Sequence, residues 1–239
     1  MTRTANTETF THGGETFLLR GWPSPVRTDT VIVVHHGLGE HGGRYASLVR
    51  HLETLPAHIW SFDLRGHGET TGRRGDAAGI DELAGDFEAI LPVIVQRSGA
   101  SRVIVIGHSL GAVIVAWYLT TRTPHPAIVA VALSAPPVRV ARTPNVRVKA
   151  AFGRVLRRVA PRMTLPSGLP PAGISSDPAE VDRYTSDPLI HDRLSVRLGL
   201  SLLEDAPKIL ERASKITLPI LLWHGVDDPI VDIEGTRDL

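Results

Sequence analysis

Short apolar runs that do not alternate with polar residues recur along the chain, each closed by a loop of small residues. TVIVVHHG (30–37), HIWSFDLRGHG (58–68), SRVIVIGHS (101–109), AIVAVALSAP (127–136) and LPILLWHGVDD (218–228) have this form, and ETFLLRGW (15–22) reads as an earlier strand. Unbroken Val/Ile/Leu runs suit parallel strands covered on both faces. Helix-like spacing separates them, as in RYASLVRHLETL (44–55) and IDELAGDFEAILPVIVQRS (80–98). The alternation predicts a mostly parallel, doubly wound α/β sheet. From about Pro136 to Pro207 the rhythm breaks. That stretch is rich in Pro and Arg and has no convincing β run, so it predicts a mainly helical insertion over the carboxyl edge of the sheet, where open α/β sheets bind ligands.

Composition narrows the chemistry. The 239 residues suit one α/β domain with an insertion, and the absence of cysteine excludes disulfides, thiolate zinc sites and a cysteine nucleophile. MTRTANTETF lacks a signal-peptide apolar core, and the apolar stretches are too short or interrupted to span a bilayer, so a soluble, cytoplasmic protein is expected. A net charge of +1 argues against nucleic acid as a partner. The charge is unevenly spread: no Asp or Glu occurs from Ala89 to Ser176, while Arg139, Arg142, Arg147, Lys149, Arg154, Arg157, Arg158 and Arg162 fall close together. Within NVRVKAAFGRVLRRVAPRM (145–163), Val148, Phe152, Val155, Leu156, Val159 and Met163 recur at helical spacing. This basic amphipathic helix is either an ordinary covering helix or a face that rests on an anionic lipid surface.

GHSLG (107–111) stands between an apolar strand and an apolar helix. A serine at such a seam sits on a sharp turn in a strained conformation, its hydroxyl above the sheet, and its neighbours must be small. A bare G-x-S-x-G is weak evidence and a tight surface turn is the plain alternative. The strand and helix on either side favour a nucleophile at Ser109. The Leu110 N–H then lies beside it as one oxyanion donor. HHGLGEHGGRY (35–45) offers a second, the N–H of Leu38, with Gly37 allowing close approach. Reading His35, His36 and His41 as metal ligands fails on spacing, so neither metal nor cofactor is implied. The loop after LLW carries Asp227, Asp228 and Asp232, and the chain order Ser then Asp is that of α/β-hydrolases; spacing leaves Asp227 and Asp228 open.

HGLGEHGGRY, FDLRGHGET with GRRG, GHSLGA, LSAPP, SDPLIHDR and LPILLWHGVDDPIVD occur in order along nearly the whole chain. Together they resemble the monoacylglycerol lipase group of α/β-hydrolases, close to lysophospholipase-like serine aminopeptidase relatives. The resemblance implies an α/β-hydrolase fold, with 1–136 and 207–239 as core and 137–206 as a helical cap that forms an acyl tunnel and touches membranes. It implies a serine esterase for monoacylglycerol-like lipids, with lysophospholipid or general esters as alternatives. Asp228 becomes the acid, with Leu38 and Leu110 as oxyanion donors. Arg65 and His67 are expected to brace a loop, and His108 and His224 to be structural. The family's histidine base follows the acid, yet none of the 11 histidines lies after Asp228. Either the sequence is a fragment that stops before the last strand, the histidine loop and the terminal helix, or the protein binds ligand without turnover. The intact Ser109, oxyanion loops and Asp228 favour the fragment.

Overall fold

The computed structural model describes residues 3–139 and 144–239; the side chains of residues 144–147 and of Lys149 also lie outside the description. The chain runs through β1 (Asn6–His12), β2 (Glu15–Trp22), β3 (Thr30–His35), α1 (Ala46–His51), β4 (His58–Phe62), α2 (Ile80–Ser98), β5 (Arg102–His108), α3 (Leu110–Thr121) and β6 (Ile128–Ser134). It continues through α4 (Pro144–Val159), β7 (Thr164–Pro166), α5 (Pro178–Ser186), β8 (Arg193–Ser195), α6 (Val196–Glu204), α7 (Lys208–Glu211), β9 (Ile220–Trp223) and α8 (Ile233–Asp238).

The main sheet has seven strands in the order β1-β2-β4-β3-β5-β6-β9. β1 and β2 are antiparallel to their neighbours, and β4, β3, β5, β6 and β9 are mutually parallel. This is the α/β-hydrolase architecture. The wholly apolar runs occupy the middle of the sheet: Val31, Val33, Val103 and Val105 are fully buried. Helix α3 is buried along nearly its whole length, from Leu110 to Thr120, which is why LGAVIVAWYLT shows no polar face. The strands are shorter than the apolar runs that announced them, because each run continues into its loop. Strand β1 escapes the apolar pattern. Its residues alternate between exposed and half-buried, and a two-residue turn at Gly13 and Gly14, with φ of 56° and 81°, folds it onto β2.

Between β6 and α7 the helices α4, α5 and α6 dominate, but the reading of this stretch as free of β structure is corrected. β7 and β8 form a two-stranded antiparallel ladder, pairing Thr164 with Ser195 and Pro166 with Arg193. A three-residue ladder leaves too little periodicity to read. No helix among the described residues is long and apolar enough to cross a membrane.

Candidate active site

Strand order reverses between β3 and β5, so the loops after β3, β5, β6 and β9 open on one side of the sheet. There they enclose a cavity of about 150 Å³ lined by Gly37, Leu38, Glu40, Arg44, His108, Ser109 and Ala135 from the first three loops. Asp228, Ile230 and Val231 follow β9, and Leu169, Gly173, Ile174 and Tyr184 come from the segment between β6 and α7.

Ser109 is the turn between β5 and α3, with φ 50° and ψ −116°. A residue other than glycine in that region costs about 1–3 kcal/mol. The burial of Val113, Ile114, Val115 and Leu119 in the helix that follows outweighs this, at about 1.5–3 kcal/mol for each side chain. The flanking glycines are required by contact. A Cβ at Gly107 would lie 2.8 Å from the Ala112 Cα, and one at Gly111 would lie 2.3 Å from the His35 carbonyl oxygen. Helix α3 therefore abuts the end of β3, and Gly37 faces the Ser109 side chain: a Cβ there would stand 3.3 Å from the Ser109 Cβ. Leu110 is buried as the first residue of α3 and does not line the cavity with its side chain. Neither the Leu38 nor the Leu110 N–H meets an acceptor among the described residues.

Of the carboxylates after β9, Asp228 lines the cavity and Asp227 is exposed. Asp228 Oδ1 accepts the N–H groups of Ile230 (2.8 Å) and Val231 (3.0 Å), and Oδ2 lies 3.2 Å from His224 Nε2. Asp232 accepts the Glu234 N–H and caps α8. His224 is buried, with its ring nitrogens at the Thr236 hydroxyl (2.6 Å) and the Val231 carbonyl (3.1 Å). His108 is the one histidine among the described residues that lines the cavity, and its Nδ1 lies 3.3 Å from the Ser134 hydroxyl.

Glu40, Arg44 and Tyr184 stand in this cavity although the sequence reading gave them no role. Glu40 Oε1 accepts the Gly37 N–H (2.7 Å) and the Tyr45 hydroxyl (2.9 Å), and Oε2 accepts Arg44 Nε at 3.1 Å. Burial pushes its carboxyl up, yet His108, His36, the Gly37 N–H and Arg44 together hold it below the ordinary range. The Arg44 guanidinium lies 5.0 Å from the centre of the Tyr184 ring. The spacing Glu40-x-x-x-Arg44 was visible as a charge pair; nothing in the sequence placed Tyr184 beside it.

Arg65 and His67 brace the loop after β4. Arg65 binds Asp86 through two nitrogens, at 2.6 and 2.7 Å, and the His67 Nδ1 meets the Arg65 carbonyl. Neither lines the cavity.

Residues 27–239 match the family model described as "Serine aminopeptidase, S33". The chain belongs to this family. It is an α/β-hydrolase of the lipase and esterase kind. Human monoglyceride lipase is 30% identical over 230 residues, which cover 93% of this chain and 73% of that protein. Monoacylglycerol lipase of Mycolicibacterium smegmatis is 29% identical over 226 residues, covering 94% and 79%. The crystal structure of Paleococcus ferrophilus monoacylglycerol lipase superposes with a TM-score of 0.80 at 32% identity, covering 97% of this chain and 82% of that one.

Proposed function

We propose that this S33-family hydrolase cleaves the ester of monoacylglycerol-like lipids, with Ser109 as nucleophile. One observation carries the reading: a serine on a strained, glycine-flanked turn shares a cavity with Asp228 and with the Leu38 loop. The Ser109 oxygen attacks the acyl carbonyl, and the N–H groups of Leu38 and Leu110 receive the oxyanion. The hydroxyl proton passes through a base to the leaving glycerol oxygen, and water then releases the fatty acid. Asp228 orients the base. Charged and aromatic groups at Glu40, Arg44 and Tyr184 suit a hydroxylated head, and Leu169, Ile174 and Ile230 suit an acyl chain. Lysophospholipids and simple carboxylic esters share the same scissile group. In a longer version that carries the histidine base, a fluorophosphonate probe should label Ser109, and Ser109→Ala should abolish both labelling and p-nitrophenyl ester hydrolysis. Labelling that survives Ser109→Ala sinks the assignment.

The base sets a second reading. None of the 11 histidines follows Asp228, and His108 meets Ser134. Turnover by residues 1–239 should therefore be slow, and added imidazole should raise it in a Ser109-dependent way. If imidazole has no effect and lipid still binds, residues 1–239 bind ligand without turnover.

Residues 137–206 act in this reading as a cap on the core of 1–136 and 207–239. Buried Asp76 holds Arg162 and Arg197, His41 meets Asp187 at 2.9 Å, and Gly39 accepts the His191 N–H. Helix α4 turns Val148, Phe152, Val155 and Val159 outward, each 63–77% exposed, beside exposed Arg154, Arg157 and Arg158. Of the basic stretch, Arg142 and the side chains of Arg147 and Lys149 lie outside the described residues. An outward apolar face bordered by arginines favours docking on an anionic lipid surface over a plain covering role. Arg154, Arg157 and Arg158 changed together to Gln should weaken binding to phosphatidylglycerol vesicles and flatten its salt dependence. Vesicle binding that is absent in the parent, or unaltered by the change, removes the membrane from this reading.

A further inference from the structure

In the loop after β3, the N–H and the carbonyl of Gly37 are held by different partners. The Gly37 N–H is taken by Glu40 Oε1 at 2.7 Å. The Gly37 carbonyl, one peptide further on, meets His36 Nδ1 at 2.8 Å. At its other nitrogen His36 meets the Leu64 N–H, 2.8 Å from Nε2. A backbone N–H only donates and a carbonyl only accepts, so the two contacts together fix the ring: Nε2 is the acceptor and Nδ1 carries the hydrogen. His36 is fully buried. Burial, aided by His41, pushes its pKa down against the pull of Asp63 and Glu40, which keeps the ring neutral and the tautomer intact.

A trans peptide points its C=O and N–H in opposite directions. Holding the Gly37 oxygen therefore also directs the Leu38 N–H, which belongs to the same peptide and has no acceptor among the described residues. The geometry points to His36 as a positioning residue: it aims the Leu38 N–H into the cavity by gripping the carbonyl of that peptide. Its other nitrogen accepts the Leu64 N–H just past β4, which fixes the tautomer that donates to the Gly37 carbonyl. This rests on the reading of Leu38 as an oxyanion donor beside Ser109.

Two substitutions separate the two nitrogens. Asn places an amide N–H where Nδ1 stands and cannot reach Leu64; Gln places its amide oxygen near Nε2 and cannot reach Gly37. His36→Asn should keep the rate of Ser109 labelling by a fluorophosphonate within a few-fold of the parent. His36→Gln should slow it about 100-fold, the effect of losing one oxyanion donor, with KM for a p-nitrophenyl ester unchanged. Crystal structures of the parent and both variants read the peptide itself: it should keep its direction in His36→Asn and turn, or occupy two orientations, in His36→Gln. A folded His36→Asn protein that labels 100-fold slower overturns the inference, as does a His36→Gln protein whose peptide keeps its direction. A parent that is not labelled at Ser109 even with imidazole supplied as base removes the nucleophile reading instead, and the crystal structures still judge His36. If His36→Gln does not fold, the Asn variant decides alone.

Discussion

The Ser109 and Asp228 sides of the cavity are built differently. Ser109 stands between β5 and α3, in the middle of the sheet, and the backbones around it touch: helix α3 lies against the His35 and His36 carbonyls. Asp228 follows β9, in a loop whose backbone is not crowded: a Cβ at Gly225 would meet nothing closer than the Asp228 Cβ at 3.9 Å. The nucleophile is held by tertiary packing that cannot move without unmaking the core. The carboxylate is held by a local turn, two N–H groups of its own loop and the adjacent His224. Geometry that needs strain lies where burial offsets it, and the carboxylate needs only a hydrogen-bonded loop.

The largest test of this contrast is Gly111→Ala. The added methyl meets backbone atoms of β3, which cannot give way as a side chain would, so the loss should be about 3 kcal/mol, the upper range for overpacking, read by urea denaturation. A loss below about 1 kcal/mol would mean that the elbow is looser than its contacts imply. Acid comes next, because it acts on the Ser109 side through the buried rings of His35, His36 and His67 and the half-buried ring of His191. Burial, with Arg74 and His36, brings His191 down to about 4, and burial brings His35 down to about 3. An unfolded histidine titrates near 6.5. Between pH 6.5 and 4 the unfolded chain therefore takes up protons that the native rings refuse. Stability is full above pH 6.5 and falls as pH drops through that window. The melting temperature should fall by several degrees from pH 7 to pH 4.5, and His191→Gln should flatten the slope. A flat profile in the parent would mean that these rings are not neutral in the folded state.

The smallest effect belongs to the Asp228 side. Gly225→Ala is the mirror of the first test. A Cβ there meets nothing closer than the Asp228 Cβ at 3.9 Å, so the change in stability should lie within about 0.5 kcal/mol. A large loss there would erase the distinction between the two sides.

What could be read in advance follows the same division. Strands β3, β5 and β6 were legible because strands buried on both faces must be apolar throughout, and the Ser109 turn because contact forces glycine at 107 and 111. Strand β1 was not, since NTETFTH is a half-exposed edge; the Gly13–Gly14 turn was its one signal, a two-residue hairpin loop. The ladder of β7 and β8 was too short to show a period.

The sequence by itself determined the order of the central strands and the helices between them, the strained serine and the pair of carboxylates at 227 and 228. These depend on neighbours in the chain, and local sterics and burial write them into residue type. Only the tertiary structure decided that Asp228 rather than Asp227 lines the cavity and that Tyr184 stands beside Arg44. It alone turned the apolar face of α4 outward and set the ring of His36 between Leu64 and Gly37. Each of these is a meeting of residues distant in sequence or a choice of which face is covered. Hydrophobic pattern fixes that a face is apolar; what lies against it is fixed by how the elements pack.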